Sequence, residues 1–253
     1  MFRNAAEIAP GVWVTTSRRM LTTSTILTDG RSAFLVDPAW DPHELDSLAD
    51  DLTKAGVEVV GGFATHAHHD HLLWHPGFGE APRWASARTA ELAISERDEL
   101  VEALGDFPAD LSALMGRVRP TTELPTDALP DKFEIELVIH DGHAPGHTAL
   151  WLPRQRVLLA GDMLSDMELP LPFWPDDVPA YLVGLDRLAE VVDRAQLVVP
   201  GHGRVGTDAR ERLNADRRYL DQVMRTGQSG DPRIRNEGMA EMHRCLQKIA
   251  RDR

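Results

Sequence analysis

His66-Ala67-His68-His69-Asp70-His71 is the stretch that decides how this chain is read. It holds four of the eleven histidines and a carboxylate within six residues. It follows directly on Val59-Val60-Gly61-Gly62-Phe63-Ala64-Thr65, an apolar run that reads as a strand. Packing does not account for such a cluster. Imidazole is the commonest metal ligand, and a carboxylate among imidazoles suits a hard or borderline divalent ion. The stretch predicts a metal site at the end of a strand. Side chains two apart on an extended chain point the same way, so His66 and His68 are expected to grip one ion together. Asp70 and His71 lie beyond them, where the chain is expected to turn into a helix, and face a second ion or another side of the first.

One short segment rarely completes a coordination sphere, so further ligands are sought at other strand ends. His147 follows the turn pair Pro145-Gly146 and opens a predicted strand. Asp162 closes the apolar run Leu158-Leu159-Ala160-Gly161. His202 sits in Val199-Pro200-Gly201-His202-Gly203. Each is a ligand-capable residue where a strand meets a turn, with glycine beside it.

The surrounding pattern is β-rich, helical, β-rich, helical. Asp29-Gly30 between Ser24–Thr28 and Ser32–Val36 predicts a hairpin. Asp41-Pro42 opens a helix that Gly56 ends. Residues 86–118 read as helical, strands resume at 133–139, 147–152 and 157–160, and helices are expected at 180–195, 208–225 and 236–249. This order predicts two packed sheets with helices on the outer faces.

Composition bounds the rest. The 253 residues, 42% of them hydrophobic, suffice for a sizeable core. A net charge of −13 repels phosphate backbones and argues against nucleic acid as a partner. No apolar run is long enough for a membrane span. Cys245 is the only cysteine, so no internal disulfide forms. With no signal pattern at Met1–Glu7, these features lead to the expectation of a cytoplasmic protein acting on a small-molecule substrate.

His66-x-His68-x-Asp70-His71, Pro145-Gly146-His147-Thr148, Gly161-Asp162 and Gly201-His202, in that order, resemble the metallo-β-lactamase fold superfamily. The resemblance implies one αββα sandwich domain over 1–253, with a helical insertion at about 86–118 and C-terminal helices at about 208–250. It implies a dinuclear site, with two Zn2+ per chain and iron or manganese as alternatives. His66, His68 and His147 would hold one ion, Asp70, His71 and His202 the other, and Asp162 would bridge. The activity implied is hydrolysis of an ester, thioester, lactone or amide by a metal-bridging hydroxide, with Asp70 orienting it or passing on its proton. The competing reading is an iron-dependent persulfide dioxygenase of the same fold, using His66, His147 and Asp162. A metal-binding module without activity is a third, opposed by the seven intact ligands. The sequence lacks the tyrosine that quorum-lactone hydrolases carry three residues after the bridging aspartate; Ser165 stands there.

Phe173 and Trp174, in the proline-rich loop 168–179, are candidate substrate contacts with Leu169 and Leu171; Trp74 is a weaker one, and 86–118 a candidate lid. His69, His75, His140 and His143 are read as outer-layer or surface residues, and His43 and His243 as surface residues. Asp37 either bonds a ligand histidine or caps a turn, and Cys245 is read as a small core residue.

Overall fold

The computed structural model describes residues 2–173 and 177–252. Seven strands lie side by side in chain order: β1 (Ala5–Ala9), β2 (Val12–Thr16), β3 (Thr23–Thr28), β4 (Ser32–Val36), β5 (Glu58–Phe63), β6 (Arg83–Ala85) and β7 (Arg119–Pro120). A second sheet has the order β11 (Leu197–Pro200), β10 (Val157–Gly161), β9 (Thr148–Leu152), β8 (Glu136–Ile139). Pairing is antiparallel from β1 to β4 and parallel from β4 to β7. In the second sheet β10 and β11 alone run parallel.

The period-2 alternation of strand side chains sorts the core into three layers. Leu27, Phe34, Val36 and Phe63 meet Leu150, Leu152, Val157 and Leu159 between the sheets. Their neighbours Ile26, Ala33 and Leu35 face outward onto Leu45, Leu48 and Leu52 of α1 (Pro42–Ala55) and onto α2 (Ala87–Ser95) through Leu92 and Ala93. Ala149, Trp151, Leu158 and Ala160 face the other way, onto α5 (Val178–Val192), α6 (Ala209–Thr226) and α7 (Met239–Arg251). The result is the αββα sandwich that the sequence pattern predicts.

Local signals hold where they are strong. Glu44 Oε2 accepts the Asp41 N–H at 3.2 Å at the start of α1, and Gly56 ends it with φ 68°. The hairpin around Asp29-Gly30 joins β3 to β4.

Several expectations are corrected. The stretch 86–118, expected as one helix and a second from Pro108, runs as α2, α3 (Arg97–Ala103) and the single turn of α4 (Ala109–Ser112). Leu92, Leu100, Leu111 and Met115 from this stretch pack into the outer core layer, so it covers the first sheet. The strand expected from Phe133 begins at Glu136. Strands β6 and β7, three and two residues long, carry too few for a periodic signal. Among the described residues no helix is long and apolar enough to cross a membrane.

Candidate metal centre

Four strands deliver residues to one end of the sandwich. Asp37 follows β4, the histidine cluster follows β5, Asp162 follows β10 and His202 follows β11. Two backbone bonds stitch the sheets together there: Thr148 N–H donates to Thr65 O at 2.9 Å and Thr23 N–H to Gly201 O at 2.7 Å. Past Ala64 the cluster is neither strand nor α-helix but a run of bends and a turn, which correct both the extended and the helical expectation. Gly201 has no room for a side chain: a Cβ there would land on Asp162 Oδ1 and 3.0 Å from His71 Cε1.

Two groups of donor atoms face each other across Asp162. In the first, His66 Nε2 is 2.9 Å from His68 Nδ1, and His143 Nε2 is 3.2 Å from the same atom. Asp162 Oδ2 lies 3.4 Å from His66 Nε2 and 3.3 Å from His143 Nε2. In the second, Asp70 Oδ2 is 3.3 Å from His71 Nε2 and 3.1 Å from His202 Nε2. The two nitrogens of that group are 3.3 Å apart. Asp162 Oδ1 is 3.2 Å from His71 Nε2, and Oδ2 is 3.3 Å from His202 Nε2.

This donor set fits divalent ions. Donors about 2.05 Å from a tetrahedral ion stand about 3.3 Å from one another, which matches these separations. Three of these rings are held by hydrogen bonds on the side away from the centre. Thr65 Oγ1 donates to Asp37 Oδ2 at 2.6 Å, so toward His66 Nδ1, at 3.0 Å, it acts as acceptor. Asp37 Oδ2 accepts from His71 Nδ1 at 2.9 Å, and Met20 O from His202 Nδ1 at 3.2 Å. All three Nδ1 atoms therefore carry hydrogen, which leaves Nε2 as the ligating atom of each ring. Asp162 Oδ1, fully buried, has no hydrogen-bond donor among the described residues.

A family model described as "Metallo-beta-lactamase superfamily" matches residues 18–202. The chain belongs to the metallo-beta-lactamase superfamily. It is 26% identical over 186 residues to the "Metallo-beta-lactamase type 2" of Bacillus sp. (strain 170), and equally to that of Bacillus cereus. The match covers 72% of this chain and 66%, just under two thirds, of each of those relatives. Among solved structures, a beta-lactamase domain protein from Burkholderia ambifaria superposes with a TM-score of 0.68 at 21% identity, over 97% of this chain and 85% of that one. A metallo-beta-lactamase from Erythrobacter litoralis gives 0.62 at 18% identity, over 84% and 96%. At these identities the structural likenesses establish the fold.

Within this metallo-beta-lactamase fold, two histidines stand near the first group from the same loop and strand start. The histidine that joins His66, His68 and Asp162 is His143, read from sequence as a bystander. His147 is fully buried, but its Nε2 accepts the backbone N–H of Asp162 at 3.1 Å. That contact ties the His147 ring to the backbone that carries Asp162. His143 sits in the loop before that strand with φ 68°, a conformation few non-glycine residues adopt. The signal available in sequence was the pair His143-x-x-x-His147 around one Pro-Gly turn; it marks two candidates without ranking them.

The remaining residues divide clearly. Trp74 packs in the outer core layer, against Gly62, edge-on to Phe78 at 5.0 Å and under the Arg83 guanidinium at 4.8 Å; it is not a wall of the centre. Phe173 is half-buried and Leu169 buried, both packed against the helical face of the second sheet. Trp174 lies outside the described residues. His69 meets the Trp40 ring edge at 4.9 Å. His75 Nδ1 accepts the Gly77 N–H at 3.0 Å, and its Nε2 lies 2.9 Å from Asp46 Oδ1. His140 stacks on His147 at 4.8 Å. His43 is exposed, but His243 is buried against the Tyr219 hydroxyl at 2.9 Å, and Cys245 is exposed, both contrary to expectation.

Electrostatics separates the two groups. Burial holds His66 down to about 4 and His68 well below the usual imidazole range, so both are neutral and ready to ligate. Burial also acts on His71 and His202, but Asp162 and Asp70 outweigh it and raise both well above that range. Burial would raise the carboxyls of Asp70 and Asp162; His71 and His202 outweigh it and keep both ionised.

The loop after Asp162 is fastened from the C-terminal part of the chain. Arg233 Nη1 donates to the carbonyls of Ser165 and Glu168 at 3.0 Å each and to buried Asp216 at 2.6 Å. Asn236 Nδ2 donates to Met167 O at 2.6 Å. These anchors lie beyond the segment that the family model matches.

Proposed function

We propose that this chain is a metal-dependent hydrolase with a dinuclear centre, acting on an ester, thioester, lactone or amide of small-molecule size. The observation that carries this reading is the double engagement of Asp162, whose Oδ2 faces His66 and His143 while Oδ1 faces His71. A carboxylate so placed suits two ions sharing it. Zinc fits the first position, with its three imidazoles, and iron or manganese are the alternatives.

Two such ions would supply a Lewis acid for a carbonyl oxygen and a water of lowered pKa. The chain's own residues do the rest. His147 and the Gly161–Gly201 turn region keep Asp162 in register. Asp70 commits Oδ2 to His71 and His202 and turns Oδ1 toward His69 Nδ1 at 3.9 Å. That leaves Asp70 the carboxylate best placed to accept a proton and hand it to a leaving group.

The net charge of −13 supports a small-molecule substrate over nucleic acid. A single cysteine suits a reducing compartment, and we propose the cytoplasm. The relatives named metallo-beta-lactamase type 2 make a lactam amide the first class to try. The one-iron dioxygenase reading, with His66, His147 and Asp162, leaves the group Asp70, His71 and His202 unused, and that group favours two ions.

Metal analysis of protein purified without added metal, followed by a panel of lactams, lactones, thioesters and esters, tests the proposal. About two divalent ions per chain with hydrolysis of one class supports it. One iron per chain with oxygen uptake on a persulfide overturns it.

A further inference from the structure

Six residues beyond Asp162, Glu168 brings a third carboxylate to the centre. One of its oxygens, a carboxylate oxygen of Asp162 and a ring nitrogen of His202 lie within 4.8 Å of one another. Its backbone is fixed from both sides. Ser165 Oγ accepts the Glu168 N–H at 2.9 Å, and Arg233 donates to its carbonyl at 3.0 Å. The next N–H, of Leu169, points at Met239 Sδ at 3.2 Å. Among the described residues these backbone bonds are the hydrogen bonds of Glu168. The carboxylate is therefore held from a fixed backbone near Asp162 and His202, with no donor among the described residues engaging it.

Three carboxylates in one largely buried region are costly unless cations neutralise them. Asp70 and Asp162 offset two of the four positive charges that a pair of divalent ions would bring, and Glu168 offsets a third. Its side of the centre is the one where His202 stands with Asp70 and His71.

We propose that Glu168 is a further metal-ligating residue, completing the position formed by Asp70, His71 and His202. The inference rests on the two-ion reading of the centre. It makes the two positions chemically unlike: three imidazoles on one side, two imidazoles and an oxygen-rich set on the other. Carboxylate oxygens favour harder ions, so the second position is the one suited to Mn2+ or Fe2+.

The test is calorimetric titration of Zn2+ and of Mn2+ into chelator-stripped wild type, Glu168→Gln and Glu168→Asp. Unfolding midpoints of the stripped proteins check that each is folded. The expected result is two equivalents in the wild type. In both variants the first binding constant is unchanged and the second is weakened about tenfold or more, with a larger loss for Mn2+ than for Zn2+. Two equivalents with an unchanged second constant overturn the proposal. So does a change confined to KM for a hydrolysed substrate, which would place Glu168 against the substrate. A wild type that takes up one equivalent overturns the two-ion reading, and the Glu168 proposal with it.

Discussion

Asp37 Oδ2 accepts the Nδ1–H of His71 at 2.9 Å, and the same carboxylate takes the Thr65 N–H at 2.8 Å and the Thr65 hydroxyl at 2.6 Å. One buried residue thereby fixes the tautomer of His71 directly and that of His66 through Thr65. Asp37→Asn keeps the size but offers an N–H where His71 needs an acceptor. It favours the tautomer with hydrogen on Nε2, which cannot ligate. We expect metal affinity to fall 10–100-fold, measured by competition with a chromophoric chelator.

His143 and His147 separate by stoichiometry. His143→Ala removes a donor from the first group, and we expect the variant to lose one of two bound ions. His147→Ala removes only the acceptor for the Asp162 N–H, and should keep two ions with weaker binding of both, because both share Asp162. His147→Gln, which restores an acceptor, should recover part of that loss. Equal ion loss in His143→Ala and His147→Ala would contradict the division.

The second group should bind its ion with proton release. His71 and His202 are held above the usual imidazole range by Asp162 and Asp70 against the opposing effect of burial, so they are protonated in the metal-free protein at neutral pH. Each must lose a proton to ligate. Affinity for the second ion should therefore fall as pH falls, by up to about two powers of ten per pH unit below the raised values. Titration in buffers of different ionisation enthalpy counts the protons. A pH-independent second constant would exclude this arrangement of charge.

Arg233→Ala leaves Asp216 buried without its partner. Burial already pushes the Asp216 carboxyl up to about 6 with Arg233 beside it, so the lone group will protonate rather than stay charged. We expect a loss of about 3–5 kcal/mol in a urea titration, together with a rise in KM as the carbonyls of Ser165 and Glu168 are released. Arg233→Lys should restore part of the stability but not the forked contacts to both carbonyls.

The parts legible in sequence were those where one local signal suffices. Asp41-Pro42, with Gly56 past the end, marks α1; Asp29-Gly30 marks the hairpin; His66 to His71 marks the centre. That His143 shares a donor group with His66, His68 and Asp162 was not legible, because no spacing encodes the positive φ at His143. Trp74 could not be assigned to the core before Gly62 was seen to leave room for its ring. Glu168 has no motif at all: it joins the centre because Arg233, 65 residues later, holds its carbonyl.

That last contact sets an order of events during synthesis. Both sheets and all the donor residues are complete once Gly203 has left the ribosome, yet the loop carrying Glu168 still lacks the cation that anchors it. The donor residues are all present early, but the loop carrying Glu168 is pinned only when Arg233 and Asn236 emerge. A nascent chain halted between these points would hold its ligands and lack the anchor of that loop.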